Sequence, residues 1–199
     1  MATRSDPTAG ISAIDGYPYW TDLACGHWPE EVAIILRTLE FLKLDAFVEI
    51  GVHVGGLADI ILQWAEDHQP FVYLGIENNP SVISREIDGR MEAVGQAAIL
   101  IRNAWDEKTV TETMTMLSNP MRLSSFIYCD GGNKPRELKL WAPYAVKGDV
   151  VGVHDYGDYS AAEIRPSLLM DLRMKRLGFK SYWPSRKRND NLRIALWKK

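Results

Sequence analysis

The sequence predicts an α/β fold, a doubly wound, mostly parallel sheet of seven strands covered on both faces by helices and finished by an antiparallel C-terminal hairpin strand. Three observations predict it. Short apolar runs alternate with segments of helical period along most of the chain. The runs are apolar throughout rather than on alternate residues, which is how parallel strands buried on both faces read. The chain closes with two strand-like runs around a turn rich in Arg, Lys, Asn and Asp.

The elements follow in order. From Pro29 to Leu44 the apolar residues Val32, Ile35, Leu36, Leu39 and Leu42 recur at helical spacing behind a proline suited to a first turn. Ala46 to Ile50 is the first strand. Leu57, Ile60, Ile61, Trp64 and Ala65 restore the helical period, and Phe71 to Ile76 is the second strand. A helix follows Pro80 and reaches Gly95; Ala97 to Ile101 is the third strand. The helix from Asp106 to Leu117 has Asp106 placed to cap it. Phe126 to Cys129 is the fourth strand, Pro135 to Val146 the next helix, and Val150 to Val153 the fifth strand. Ala161 to Leu177 reads as a helix kinked or started late at Pro166 and stopped by Gly178. Phe179 to Trp183 and Leu192 to Trp197 form the hairpin.

With 46% hydrophobic and 25% charged residues, the 199-residue chain has the composition of a globular protein and the length of one domain. Residues 29–199 are read as that domain, and 1–28 as an N-terminal extension. No apolar run reaches the roughly 20 residues of a membrane span. Met1 to Gly10 lacks a hydrophobic signal core and only Cys25 and Cys129 are present, so a cytoplasmic location with reduced thiols is expected. The net charge of -3 conceals a basic end, with ten Lys or Arg against Asp190 between Leu172 and Lys199. It reads as a solvated surface around the hairpin, and no nucleic-acid motif accompanies it. The aromatic stretch Ile14 to Trp28, with His27 in it, is a candidate lid, a packing segment or a homodimer contact.

In a sheet of this kind ligands sit beyond the carboxyl ends of the strands. The first strand runs into Glu49-Ile50-Gly51-Val52-His53-Val54-Gly55-Gly56, where Gly51 and Gly55 let the backbone turn sharply and a ligand approach closely. His53 stands where a dinucleotide-binding turn wants its second glycine, so a pyrophosphate is disfavoured there. Glu77, at the end of the second strand beside Asn78, is placed to accept hydrogen bonds from the ribose hydroxyls of an adenosine-containing ligand. After the third strand, Asn103, Ala104 and Trp105 suit the borders of an adenine ring, and Trp105 is equally plausible as core. Asp130 and Asp155, after the fourth and fifth strands, bring two carboxylates to one mouth. Such a pair suits magnesium or another hard divalent cation, or else positions a cationic ligand and an acceptor.

The segments FVEIGVHVGG, YLGIENNP, LIRNAWD, FIYCDGGN and GDVVGVHDY, with the closing GFKSYWP and LRIALWKK, resemble the class I S-adenosylmethionine-dependent methyltransferases in order and spacing from Pro29 onward. Within that Rossmann-like family the sequence is most similar to small-molecule O-methyltransferases of the catechol and macrolide-modifying type and to cephalosporin-hydroxylase-like proteins. The resemblance implies S-adenosylmethionine as cofactor, with Glu49, Gly51, His53 and Gly55 at its methionine side, Glu77 and Asn78 at the ribose, and Asn103 to Trp105 at the adenine. Asp130 also falls on the cofactor side, and Asp130 with Asp155 matches the metal-binding acids of the cation-dependent members, which implies Mg2+. Two departures stand out: Tyr156 follows the second acid where the catechol-type enzymes have asparagine, and Asn133 occupies the position of their catalytic lysine, with Lys134 one residue later.

Methyl transfer from a sulfonium asks the protein chiefly to align acceptor and methyl group and to exclude water. His154, Asp155 and Lys134 are the candidates for unmasking an acceptor hydroxyl on a small molecule, His154 being as plausible as a packed strand-end histidine. Three other readings share the architecture: a nicotinamide oxidoreductase, a non-catalytic adenosyl-ligand binding module, and an RNA methyltransferase that uses the basic C-terminus.

Overall fold

The computed structural model describes residues 11–118, 121–156, 172, 174–177 and 193–199. Helix α1 (Pro29–Leu42) starts on its proline, carries Glu30 and Glu31 in the first turn and ends where Lys43 turns left-handed at φ 52°. Strand β1 (Ala46–Ile50) follows, then α2 (Gly56–Asp67) and β2 (Val72–Glu77). The helix expected after Pro80 is split by its own capping chemistry. Asn79 accepts from the Ser81 N–H and closes a single 3-10 turn, Pro80–Val82, before α3 (Glu86–Val94) begins. Next come β3 (Ala97–Ile101), α4 (Glu107–Met116), β4 (Ser125–Cys129), α5 (Lys134–Trp141), β5 (Val150–Val153), β6 (Lys175–Arg176) and β7 (Ala195–Lys198). As expected, Asp106 caps α4 by accepting from the Lys108 N–H at 3.0 Å. Helix α5 gives way to a 3-10 turn, Ala142–Tyr144, because Pro143 has no N–H to continue the α ladder.

The strands form one seven-stranded sheet in the order β3-β2-β1-β4-β5-β7-β6. The first five are parallel, β7 runs antiparallel to β5, and β6 antiparallel to β7. Alternate residues of the central strands serve opposite cores. Phe47, Tyr73, Phe126 and Tyr128 pack under α1, α2 and α3, while Val48, Ile50, Ile76, Ile127 and Cys129 pack under α4 and α5. Strand order reverses between β1 and β4, so their carboxyl ends diverge into a crevice.

One C-terminal expectation changes. Lys175–Arg176 lies in strand β6, not at the end of a helix. It pairs with β7, and the Leu177 N–H continues that ladder to the Leu196 carbonyl at 2.9 Å. Arg176 also lies over the rings of Tyr156 and Trp197, 4.6 and 6.0 Å from their centroids, so tertiary pairing overrides local helical period here. Most of the predicted helix from Ala161, and the run Phe179 to Trp183, lie outside the described residues. No helix among the described residues is long and apolar enough to cross a membrane.

Residues 11–28 are built into the domain. Ile11, Ile14, Tyr19 and Cys25 are buried in the core beneath α1 and α2. The Tyr19 hydroxyl donates to Asp67, the Tyr17 hydroxyl to Glu40, and Gln63 to the Trp20 carbonyl.

Candidate active site

A cavity of about 610 Å³ opens at the carboxyl ends of the strands, within the size range of small-molecule sites. One side is made by the β1–α2 turn. Gly51 has φ +90°, and a side-chain carbon there would stand 2.5 Å from the Gly131 Cα, so the turn after β1 can lie against the loop after β4 only with glycine at that place. Gly55, at φ +96°, starts α2 against Ile87. His53 also adopts a left-handed backbone, φ 53°, which aims its N–H at the Glu77 Oε2 at 2.9 Å.

Glu77 organises the neighbouring loop. Its Oε1 accepts from the N–H groups of Asn78 and Asn79, each at 2.9 Å, so three backbone donors fix the carboxylate. Two oxygens offer about four acceptor positions, leaving capacity for a ligand hydroxyl. Asn103 uses its side chain to accept from the Trp105 N–H at 2.9 Å, forming a turn that presents Ala104 and Trp105 to the cavity. Trp105 is 37% exposed, so it belongs to the cavity wall rather than to the core. Its Nε1 donates to Glu137 and the Arg136 guanidinium stacks on its ring at 4.7 Å. Asp106 is engaged in capping α4.

Glu49 is buried and accepts from the Tyr73 hydroxyl at 2.6 Å. Burial pushes its carboxyl well above the usual carboxylate range, more than the Tyr73 bond lowers it.

The opposite wall is a charged network. Asp130 accepts from His154 Nδ1 at 2.9 Å, and His27 Nε2 lies 3.4 Å from its other oxygen. The Lys134 Nζ, from the first residue of α5, donates to the Gly131 carbonyl at 2.9 Å and lies 3.6 Å from Asp130 and 3.2 Å from Asp155. Asp155, at φ 53°, also pairs with Arg193 at 2.7 Å. His154 reaches Glu31 with its other nitrogen at 3.3 Å. Burial pulls the His154 pKa down, but the hydrogen bonds to Asp130 and Glu31 outweigh it and raise the value to about 9. Burial likewise pushes Asp130 up, and the cationic neighbours reverse that and hold it below its ordinary value.

The structure thus brings Glu49, Gly51, His53, Glu77, Asn78 and Asn103 to Trp105 to the same cavity as Asp130, Lys134, His154 and Asp155, with Gly55 just behind the turn. The two acids share one mouth, as expected, but the Lys134 ammonium stands between them. As arranged, Asp130 and Asp155 are charge-satisfied by Lys134, His154 and Arg193. They do not present the oxygen-lined set that magnesium requires.

Sequence reasoning missed four participants. Glu137 is buried and accepts from the N–H groups of Gly131 and Asn133 at 3.0 and 3.1 Å, and burial raises its carboxyl. Glu31 looked like an ordinary first-turn acid of α1 and proves 0% exposed. Arg193 was one of many basic tail residues, and His27 one polar residue in an aromatic stretch. A Glu inside an α-helical first turn followed by buried apolar residues was the faint signal for Glu31; nothing local marks the other three.

The fold is that of the class I S-adenosylmethionine-dependent methyltransferases, and the cavity lies where that architecture puts its ligand crevice. Among solved structures the chain is similar to the apo form of CmcI, at 19% identity and TM-score 0.65 over 91% of this chain and 76% of that one. It is similar also to a CmcI form with Mg and SAM (18%, TM-score 0.61, 92% and 77%) and to cofactor-bound Rv0187 from MTB (16%, TM-score 0.52, 85% and 79%). No protein-family model and no curated protein matches the chain.

Proposed function

We propose that this protein transfers the methyl group of S-adenosylmethionine to a hydroxyl of a small-molecule acceptor. The observation that carries the proposal is the single cavity of about 610 Å³ whose one side offers an adenosine-type cradle and whose other side offers Asp130, Lys134, His154 and Asp155. The residues fit the cofactor. Glu77 is fixed by three backbone N–H groups with acceptor capacity to spare, and Trp105 presents a flat face to the cavity. The cofactor supplies the methyl group on a sulfonium.

His154 is not the base at neutral pH, because it already holds its proton between Asp130 and Glu31. Its role, with Lys134, is to set positive charge beside the acceptor oxygen, which lowers the hydroxyl's pKa so that its proton passes to solvent before the methyl moves and the sulfonium leaves as a neutral thioether, while Asp155 orients Lys134. Magnesium is not assigned to Asp130 and Asp155, since Lys134 fills the place between them. A CmcI structure carries Mg and SAM; in this chain Lys134 supplies the positive charge between Asp130 and Asp155.

Calorimetry tests the cofactor assignment directly: micromolar S-adenosylmethionine binding that is lost in Glu77→Ala supports it, and no binding to the unaltered protein overturns it. Transfer of labelled methyl to a panel of hydroxylated small molecules, lost in Lys134→Ala, tests the chemistry.

A further inference from the structure

We propose that His27, Asp130 and His154 form a binding site for a divalent first-row transition metal. The site differs in donors and in ion from a magnesium site on Asp130 and Asp155, and it does not depend on the methyl-transfer reading.

The ligand atoms come from three parts of the chain, the N-terminal segment and the ends of β4 and β5, and all lie within 4.8 Å of one another. His154 Nδ1 is 2.9 Å from one Asp130 oxygen and His27 Nε2 3.4 Å from the other. Donors held about 2.0–2.1 Å from one ion stand roughly 2.9–3.4 Å apart, depending on octahedral or tetrahedral geometry, so each imidazole stands at the separation from the Asp130 carboxylate that two ligands of one ion take.

A metal-bound imidazole is held in place by a partner on its other nitrogen. Here both rings have one. His27 Nδ1 lies 2.7 Å from the Cys25 carbonyl, which fixes that proton and leaves the Nε2 lone pair, also 3.1 Å from the Tyr128 hydroxyl, as the ligand atom. The ion would replace the proton that His154 Nδ1 shares with Asp130, releasing it to solvent, while His154 Nε2 stays on the Glu31 carboxylate, and Glu31 is itself fixed by the N–H groups of Trp28 and Arg193 at 3.0 and 2.8 Å. The two rings stack at 4.1 Å and 21°, which presents His27 Nε2 and His154 Nδ1 to the same carboxylate.

Donor chemistry selects the ion. Two imidazole nitrogens and one carboxylate suit iron, cobalt or zinc, whereas magnesium asks for oxygen. His27 and His154 are buried at 4% and 3% exposure, while Asp130 and His154 line the cavity, so the ion's remaining positions face a ligand there. An ion so placed would act as a Lewis acid toward an acceptor oxygen.

Titration of the chelator-stripped protein with Co2+, followed by visible absorption and calorimetry, tests the site with no substrate present. Expected are one equivalent bound, a nitrogen-ligated visible band, and no competition from equimolar Mg2+. His27→Gln should weaken binding by at least about 100-fold and Glu31→Gln by roughly 10–100-fold. Absence of stoichiometric Co2+ binding, or binding indifferent to His27→Gln, overturns the proposal in favour of a purely hydrogen-bonded network. If His27→Gln does not fold, the ring nitrogen resonances of the unaltered protein decide. Zn2+ must shift His27 Nε2 and His154 Nδ1, and unshifted resonances overturn the site. Failure of S-adenosylmethionine binding would leave these outcomes untouched.

Discussion

Replacing Gly51 with alanine tests both the fold's crevice and the site built on it. The added carbon would lie 2.5 Å from Gly131 Cα, 2.7 Å from Gly131 N and 2.9 Å from the Asp130 carbonyl carbon, all backbone atoms that no rotamer change can move aside. The turn after β1 and the loop after β4 must separate, although the Asp130 N–H bond to the Ile50 carbonyl at 2.9 Å ties them together. The residue would also keep φ +90°, where an L side chain costs about 1–2 kcal/mol. Overpacking of this kind adds about 1–3 kcal/mol. The sum, about 2–5 kcal/mol, corresponds to a fall in melting temperature of roughly 4–20 °C for a domain of this size. The assay is thermal unfolding with parallel calorimetry of S-adenosylmethionine, using Gly132→Ala as the control, since an added carbon there meets nothing within 4 Å. A Gly51→Ala protein as stable as the unaltered one, binding the cofactor equally well, would refute the reasoning.

Three further outcomes are expected. His154 has a pKa raised to about 9 in the folded protein against about 6.5 unfolded, so its contribution, on the order of 3 kcal/mol, is complete below pH 6.5 and lost as pH rises through 9. Denaturant unfolding across that window should show a decline that His154→Gln flattens. Asp149 is 0% exposed and accepts from the Ser125 and Val146 N–H groups, both at 2.8 Å, and from Arg122 at 2.6 Å; Asp149→Ala should cost about 3 kcal/mol or more by chemical denaturation. Lys134→Ala removes the ammonium between Asp130 and Asp155, and calorimetry should detect tighter Mg2+ binding than in the unaltered protein; no gain would show that His154 and Arg193 suffice to neutralise the pair.

The sequence by itself determined the sheet. Apolar runs such as AFVEI and FIYC fit burial between two helical layers, and the expected bounds of β1, β3 and β5 match those observed because each run is closed on both sides by a polar residue or glycine: Asp45 and Gly51, Gln96 and Arg102, Asp149 and His154. It also determined one side of the cavity, since Gly51, Glu77 and Asn103 sit immediately after strands, and parallel register carries every strand end to the same edge. What only the tertiary structure decided is the state of the charged wall. His27 and Glu31 are far from Arg193 in the chain, and their approach to Asp130, His154 and Asp155 follows from the packing of the start of α1, and of the residues before it and before β7, at the strand ends. Charge interactions depend on distance and burial rather than on spacing along the chain. The sequence could therefore name two acids, a lysine and a histidine, but not that the lysine stands between the acids or that the histidine is held charged by two carboxylates. For the same reason the short strand β6 was read as helix: its pairing with β7 is a contact that local periodicity does not encode.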